Sequence, residues 1–158
     1  MDAHDPITDY LAHIPWFLEL SPSQLASLAQ ISSACHYQAG DVIFCEGDAE
    51  DCLYILLEGQ AEASVHVPGK GNAVLYQIEP LDILGWSVLT PVVRQRTVTV
   101  RTVSNARAIC FNSQLLRQMC EDDRNFGYII MRRIANVVAS RLLVTRLALY
   151  DLIRQDEK

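Results

Sequence analysis

The chain has 158 residues, 50% of them hydrophobic and 20% charged, with seven glycines and six prolines; that is enough apolar material for one compact domain and too much for a disordered, collagenous or low-complexity chain. No apolar run reaches the roughly 18 to 20 residues that span a bilayer, and the acidic start Met1-Asp2-Ala3-His4-Asp5 lacks the basic region of a signal peptide, so a cytoplasmic location away from membranes is expected. The net charge of −6 is unevenly laid out: residues 1–69 hold eleven acids and no Lys or Arg, while 70–158 hold thirteen bases and eight acids, which suits internal neutralisation better than an acidic docking face and leaves no general nucleic-acid footprint.

In chain order, Ile7 to Leu20 reads as a short helical arm broken at Pro15. Ser21-Pro22-Ser23-Gln24 follows with an N-cap hydroxyl, Pro at the first helical position and Gln at the capping-box position, so a helix starts there with Leu25, Leu28, Ala29 and Ile31 as its apolar face. From Cys35 to Asn112 short β-branched and aromatic stretches alternate with the turn signals Ala39-Gly40-Asp41, Glu46-Gly47-Asp48, Glu58-Gly59 and Gly69-Lys70-Gly71. Strands are expected near 35–38, 42–45, 52–57, 60–67, 73–78, 97–103 and 107–112, spaced as in a sandwich or barrel. A short helical segment from about 114 to 120 and a long one from about 124 to 153 complete the chain.

The long helix has two apolar stripes: Ile130, Ile134, Val137, Val144 and Ala148 form one, and Val138, Leu142, Leu149 and Leu152 the other. One stripe can cover the β-region, and the other predicts a homodimer through the same helix of a second copy. Five cysteines at 35, 45, 52, 110 and 120 form an odd, scattered set without a Cys-x-x-Cys pair, which reads as buried reduced thiols, although Cys45 and Cys52 flank a turn and could approach one another.

The succession Gly40-Asp41-Val42-Ile43-Phe44, Glu46-Gly47-Asp48, Leu53-Tyr54-Ile55-Leu56 and Glu58-Gly59, between short and long helices, resembles the barrel signature of the cyclic nucleotide-binding domain superfamily that includes the catabolite activator and kinase regulatory subunits. The resemblance covers nearly the whole chain. It implies a mainly β fold, a β-roll of the double-stranded β-helix or jelly-roll kind, in a single domain over 1–158 with N-terminal helices (1–34), the β-roll (35–112) and C-terminal helices (113–158). The family's phosphate-binding cassette corresponds here to Leu81-Asp82-Ile83-Leu84-Gly85-Trp86-Ser87-Val88-Leu89 and runs through Pro91 to Arg96-Thr97-Val98.

Free amides at a helical turn after Gly85 and the guanidinium fork of Arg96 both suit a phosphate. Arg96 shares strand parity with Val98 and Val100, which aims it inward, where a guanidinium needs an anion from a ligand or from a protein carboxylate. The resemblance thus implies a ligand site at Gly85, Trp86, Ser87, Arg94, Arg96 and Thr97. Trp86 stands where the family has a ribose-binding Glu, and Leu81 where it has a Gly. Indole donates a single hydrogen bond and accepts none from a hydroxyl, but it can fill space or stack on a base.

The function implied is a regulatory sensor, not an enzyme, that binds a small anionic ligand such as cAMP or cGMP and signals through its long helix to a protein partner. The alternative is a degenerate β-roll that binds no ligand and acts as a dimeric scaffold or partner-binding module. A cupin-like metal enzyme would need a His-x-His pair, whereas His36 and His66 stand alone and His4 and His13 lie in the N-terminal arm. The sequence stops at Lys158, shortly after the long helix, where transcription-factor relatives continue into a helix-turn-helix, so no direct DNA binding is expected.

Overall fold

A computed structural model describes residues 6–49, 51–90, 92–93 and 95–156; His4, Pro91, Arg94 and Lys158 lie outside the described residues. The arm forms α1 (Pro6–His13) and, after the expected break, a 3-10 turn over Pro15–Phe17. α2 (Pro22–Gln30) begins with both halves of the capping box made: the Gln24 amide donates to Ser21 Oγ at 3.2 Å and the Ser21 amide to Gln24 Oε1 at 2.9 Å.

Eight strands follow: β1 (Ser32–Tyr37), β2 (Val42–Phe44), β3 (Cys52–Glu58), β4 (Ala61–Val67), β5 (Gly71–Ile78), β6 (Ile83–Leu84), β7 (Thr99–Thr102) and β8 (Ala106–Asn112). They pair antiparallel in two four-stranded sheets, ordered β1-β8-β3-β6 and β2-β7-β4-β5. The structure is therefore the expected β-roll, with differences at its edges. β1 starts three residues earlier than the glycine punctuation suggested, because its whole length pairs with β8 from Ser32↔Phe111 to Tyr37↔Ala106. β7 is shorter than the expected 97–103, and the two-residue β6 was not expected at all; it exists because Leu84 and Ile83 pair with Tyr54 and Ile55 of β3.

β3 shows why the sequence around Leu53 is continuously apolar. Leu53 and Ile55 face a core shared with the helices, including Phe17, Leu28, Phe111, Leu116, Phe126, Ile130 and Ile134. Tyr54 and Leu56 face the space between the two sheets with Phe44, Ala61, Ala63, Ile78, Leu84 and Val100. A strand covered on both sides has no polar face to alternate with.

Asn112 caps α3 (Ser113–Asp122), accepting from the Leu115 amide at 3.0 Å, and α4 spans Arg124–Asp156. Its burial differs between the two stripes: in the first, Ile130 and Ile134 are buried and Val137, Val144 and Ala148 half-buried, whereas in the other Val138 and Leu152 are half-buried and Leu142 and Leu149 exposed. One stripe thus faces inward over its whole length, as expected. Leu143, Leu147, Tyr150 and Ile153, on neither stripe, are exposed as well, in the second half of the helix that lies beside β5. Arg141 fastens that half through its place over the Tyr76 ring, 4.3 Å from the centroid, and a 3.3 Å contact with Asp82; Lys70 at the β4–β5 turn pairs with Asp156.

The charge asymmetry is met by pairing across the chain. Asp51, Glu58 and Glu19 of the acidic part bind Arg96, Arg107 and the Arg132/Arg133 pair of the basic part. Arg132 and Arg133 hold the Glu19 carboxyl below its ordinary range, chiefly through the Arg132 hydrogen bond. Among the described residues no helix is long and apolar enough to cross a membrane.

Candidate functional site

The turn between β5 and β6 starts the site. The Leu81 amide donates to Leu56 O at 2.7 Å and the Asp82 side chain accepts from the Glu79 amide at 3.1 Å, and between them Leu81 is held at φ 74. That is a left-handed conformation which costs an L-residue with a Cβ about 1 to 2 kcal/mol. Leu81 is exposed and loses little contact on truncation, so Leu81→Gly is expected to raise stability by about 0.5 to 1 kcal/mol in urea denaturation once the greater freedom of unfolded glycine is set against the relieved strain. A loss of stability would show that the turn is not strained.

After β6, Gly85 (φ 72, ψ 31) redirects the backbone into a 3-10 turn, Trp86–Leu89. Ser87, Val88 and Leu89 are buried, and the turn is pinned from outside: Thr90 Oγ1 donates to Ser87 O at 2.8 Å and Arg117 Nη1 to Val88 O at 2.7 Å. A Cβ built on Gly85 would lie 2.1 Å from Arg96 Nη1. Only glycine lets the backbone approach the guanidinium so closely.

Arg96 is 1% exposed. It lies just before β7, not within it, and is still interior as parity suggested. The Glu46-Gly47-Asp48 turn sets its backbone: the Gly47 amide donates to Arg96 O at 2.9 Å and the Arg96 amide to Asp48 O at 3.0 Å. Its side chain reaches under Gly85. Nη1 donates to Gly85 O at 3.2 Å, and Nη2 donates to Cys52 O at 2.7 Å and to Asp51 Oδ1 at 2.9 Å, while the guanidinium carbon lies 4.3 Å over the Phe44 ring and 5.8 Å from the Tyr54 centroid. Nε is buried without a partner. Of the two anions that an interior arginine could take, the protein supplies the carboxylate here, from a residue whose own side chain is 77% exposed.

Gly85, Trp86, Ser87, Arg96 and Thr97 come together around a single small space of about 10 Å³, walled also by Phe44, Tyr76 and Val98. Arg94 lies outside the described residues. Beyond this space, between the β-roll and α4, opens a mainly apolar cleft of about 460 Å³. Val65, Val67, Leu75, Tyr76, Trp86, Thr97 and Val98 form one wall, and Val138, Arg141, Leu142, Thr145, Leu149 and Leu152 the other. Trp86, Tyr76, Thr97 and Val98 border both spaces. Burial pushes the Tyr76 phenol above its usual range, so it is a neutral donor at physiological pH.

Sequence reasoning missed Asp51, the Cys52 carbonyl and the Phe44–Tyr54 platform. The first had a signal, since an interior arginine demanded an anion and Asp51 immediately precedes β3. A backbone carbonyl has none. Among the described residues no three His, Cys, Asp or Glu side chains are placed to hold a metal ion.

The family model described as "Cyclic nucleotide-binding domain" matches residues 34–123. The CRP-like cAMP-activated global transcriptional regulator of Mycobacterium tuberculosis is 28% identical over 149 residues, which covers 94% of this chain and 64% of the relative; the chain thus spans less than two thirds of that regulator. A solved structure from Geobacter metallireducens GS-15, whose name provisionally assigns it as a cyclic nucleotide-binding protein, is similar at TM-score 0.76 and 28% identity over 90% of this chain and 99% of that one. A cyclic nucleotide-binding domain from Methylobacillus flagellatus KT has TM-score 0.74 and 16% identity over 94% of this chain and 82% of that one, a likeness of fold alone.

Proposed function

The chain belongs to the cyclic nucleotide-binding domain family, and from that premise we propose that it is a regulatory module, not an enzyme, which senses a small anionic ligand in the cleft between its β-roll and α4. The observation that carries this reading is Arg96, an almost fully buried cation on a space of about 10 Å³ that shares Tyr76, Trp86, Thr97 and Val98 with the neighbouring cleft of about 460 Å³, a volume suited to a nucleotide-sized molecule. The ligand's anionic group displaces the Asp51 carboxylate from Nη2, and Asp51, being exposed, returns to water at little cost. Gly85, Ser87 and Thr97 frame that anion, with Arg94 as a further basic contact. Trp86 and Tyr76 offer flat apolar surface to a base or ring. Because the other wall of the cleft is α4, occupancy changes how the helix sits on β5, and the exposed apolar second half of α4 passes this to a second copy in a homodimer or to a protein partner. Cyclic AMP and cyclic GMP are the first ligands to test.

A second reading, a scaffold that binds no ligand, is favoured by the same arginine: Asp51 and two carbonyls already occupy it, and the space above it is about 10 Å³. Calorimetric titration of the wild type and of Trp86→Glu with both nucleotides separates the readings. Sensing predicts saturable heat in the wild type; in Trp86→Glu binding strengthens by about 1 to 3 kcal/mol if the new carboxylate accepts from a ribose hydroxyl, and weakens if the indole stacks on the base. Scaffolding predicts no heat in either protein. Sedimentation of the same samples at tens of micromolar reports the dimer, and a monomer would remove the helix interface from the proposal.

A further inference from the structure

Three of the five cysteines converge on neighbouring strands of one sheet. Cys35 on β1 pairs in register with Ala108, and Cys110 on β8 pairs with Ser33, so the two cysteines are diagonal neighbours across the β1–β8 ladder. Both pack, half-buried, against the core between the sheets, and their Sγ atoms lie 3.1 Å apart. Cys52 on β3 borders Cys110 from the other side, and Ser33 Oγ lies 2.9 Å from Cys110 Sγ at an exposed position. The approach foreseen between Cys45 and Cys52 is not what the fold makes: Cys45 is exposed, and the close pair is one that lies 75 residues apart in sequence.

We propose that Cys35 and Cys110 are an oxidative modification site, joined by a peroxide into a cross-strand disulfide that ties the first strand of the β-roll to the last. A bonded pair needs an S–S separation of about 2.05 Å, so the two sulfurs need to close by about one ångström; because diagonal neighbours start wider apart than a disulfide holds them, β1, at the edge of its sheet, shifts toward β8 as the bond forms, while the exposed Ser33 side of the pair gives the oxidant access. In the first step one thiol, as its thiolate, attacks a peroxide oxygen; the O–O bond breaks, and the sulfur becomes a sulfenic acid as hydroxide leaves and takes a proton. In the second, the other sulfur attacks the sulfenic sulfur and water leaves with the second thiol proton. Two sulfurs together lose two electrons, and one hydrogen peroxide becomes two waters. Burial and the Cys110 neighbour push the Cys35 thiol up to about 12, so whichever step uses Cys35 as the nucleophile is slow at neutral pH and the pair responds to sustained rather than brief exposure. The closed loop contains six strands, including β3, whose Cys52 carbonyl holds Arg96. The inference does not depend on ligand binding.

The test uses the purified full chain, fully reduced, desalted and held in hydrogen peroxide until its mass stops changing. Remaining thiols are alkylated under denaturing conditions, and the chain is cleaved without reduction. Trypsin alone leaves Cys35, Cys45 and Cys52 in one peptide, because no Lys or Arg occurs in residues 1–69; additional cleavage at acidic residues separates them at Asp41, Glu46 and Asp48. The expected result is loss of two hydrogens per chain and a peptide linking Cys35 to Cys110, with the mass loss abolished in Cys35→Ser, a variant checked by circular dichroism to be folded. A Cys52–Cys110 link, links between molecules through Cys45, or oxygen added to Cys35 and Cys110 without a bond between them would each overturn the proposal.

Discussion

Arg96→Ala is expected to lower the stability of the ligand-free protein by about 3 to 4 kcal/mol, a loss usual for large buried side chains and unusual for a charged one. Two carbonyls lose the guanidinium as donor: Gly85 O, which keeps the Val88 amide at 3.3 Å, and Cys52 O, a carbonyl left without any donor costing about 1 to 3 kcal/mol if water cannot reach it. The layer that the guanidinium forms over Phe44 and Tyr54 becomes a void next to the tightest part of the core. Asp51 adds little to the loss, because it is largely exposed and is not stranded as a buried ion would be. Arg96→Met separates the contributions. It refills most of the volume without restoring any hydrogen bond, so about half of the loss should remain. Urea unfolding with an unchanged slope measures both variants; an alanine variant within about 1 kcal/mol of the wild type would mean that the arginine is held for a ligand alone and contributes nothing to the fold.

The second large effect is expected at Gly85. Alanine there meets two separate penalties: a left-handed backbone at φ 72, worth about 1 to 2 kcal/mol, and a Cβ placed 2.1 Å from Arg96 Nη1, which forces the guanidinium off its carbonyls. Together they should destabilise by about 2 to 4 kcal/mol. The two penalties come apart in a double-mutant cycle, because with Arg96→Ala already in place the guanidinium clash is gone and the backbone penalty of about 1 to 2 kcal/mol is left, together with a tight 3.1 Å approach to the Cys52 carbonyl oxygen. Full additivity of the two substitutions would show that the turn and the arginine are independent. Ligand binding by Gly85→Ala should fail even where the variant is folded, since its Cβ occupies the place where backbone and guanidinium meet around the anion.

Much of this site is written in local sequence. Glycines in turns, the Ser21 cap and the apolar run from Leu53 to Leu56 are each dictated by backbone angles, capping or two-sided burial, and these leave marks within a few residues. The same is true of Arg96, whose inward aim follows from neighbouring apolar positions. Its partners leave no such mark. Asp51 is one acid among eleven in its part of the chain, and its role depends on β3 bringing it within 2.9 Å of a residue 45 positions away. The meeting of Cys35 with Cys110 is likewise a product of register, which periodicity cannot supply for strands so far apart. In α4 helical spacing fixes which residues share a face, but how far each apolar stripe is covered depends on the size of the body beside it.

The pairing of β1 with β8 also bears on how the polypeptide emerges during synthesis. β1 is finished early, yet among the described residues its ladder is with a strand about 75 residues later in the chain. At roughly 5 to 20 residues per second a ribosome takes about 4 to 15 s to make that interval, and throughout it the polar backbone edges of β1 and one side of β3, which also awaits β8, have no partner. A nascent chain arrested just before Ala106 therefore presents one strand without its ladder and a second, the apolar stretch Leu53–Leu56, with one edge open, to whatever chaperone or protease meets it first.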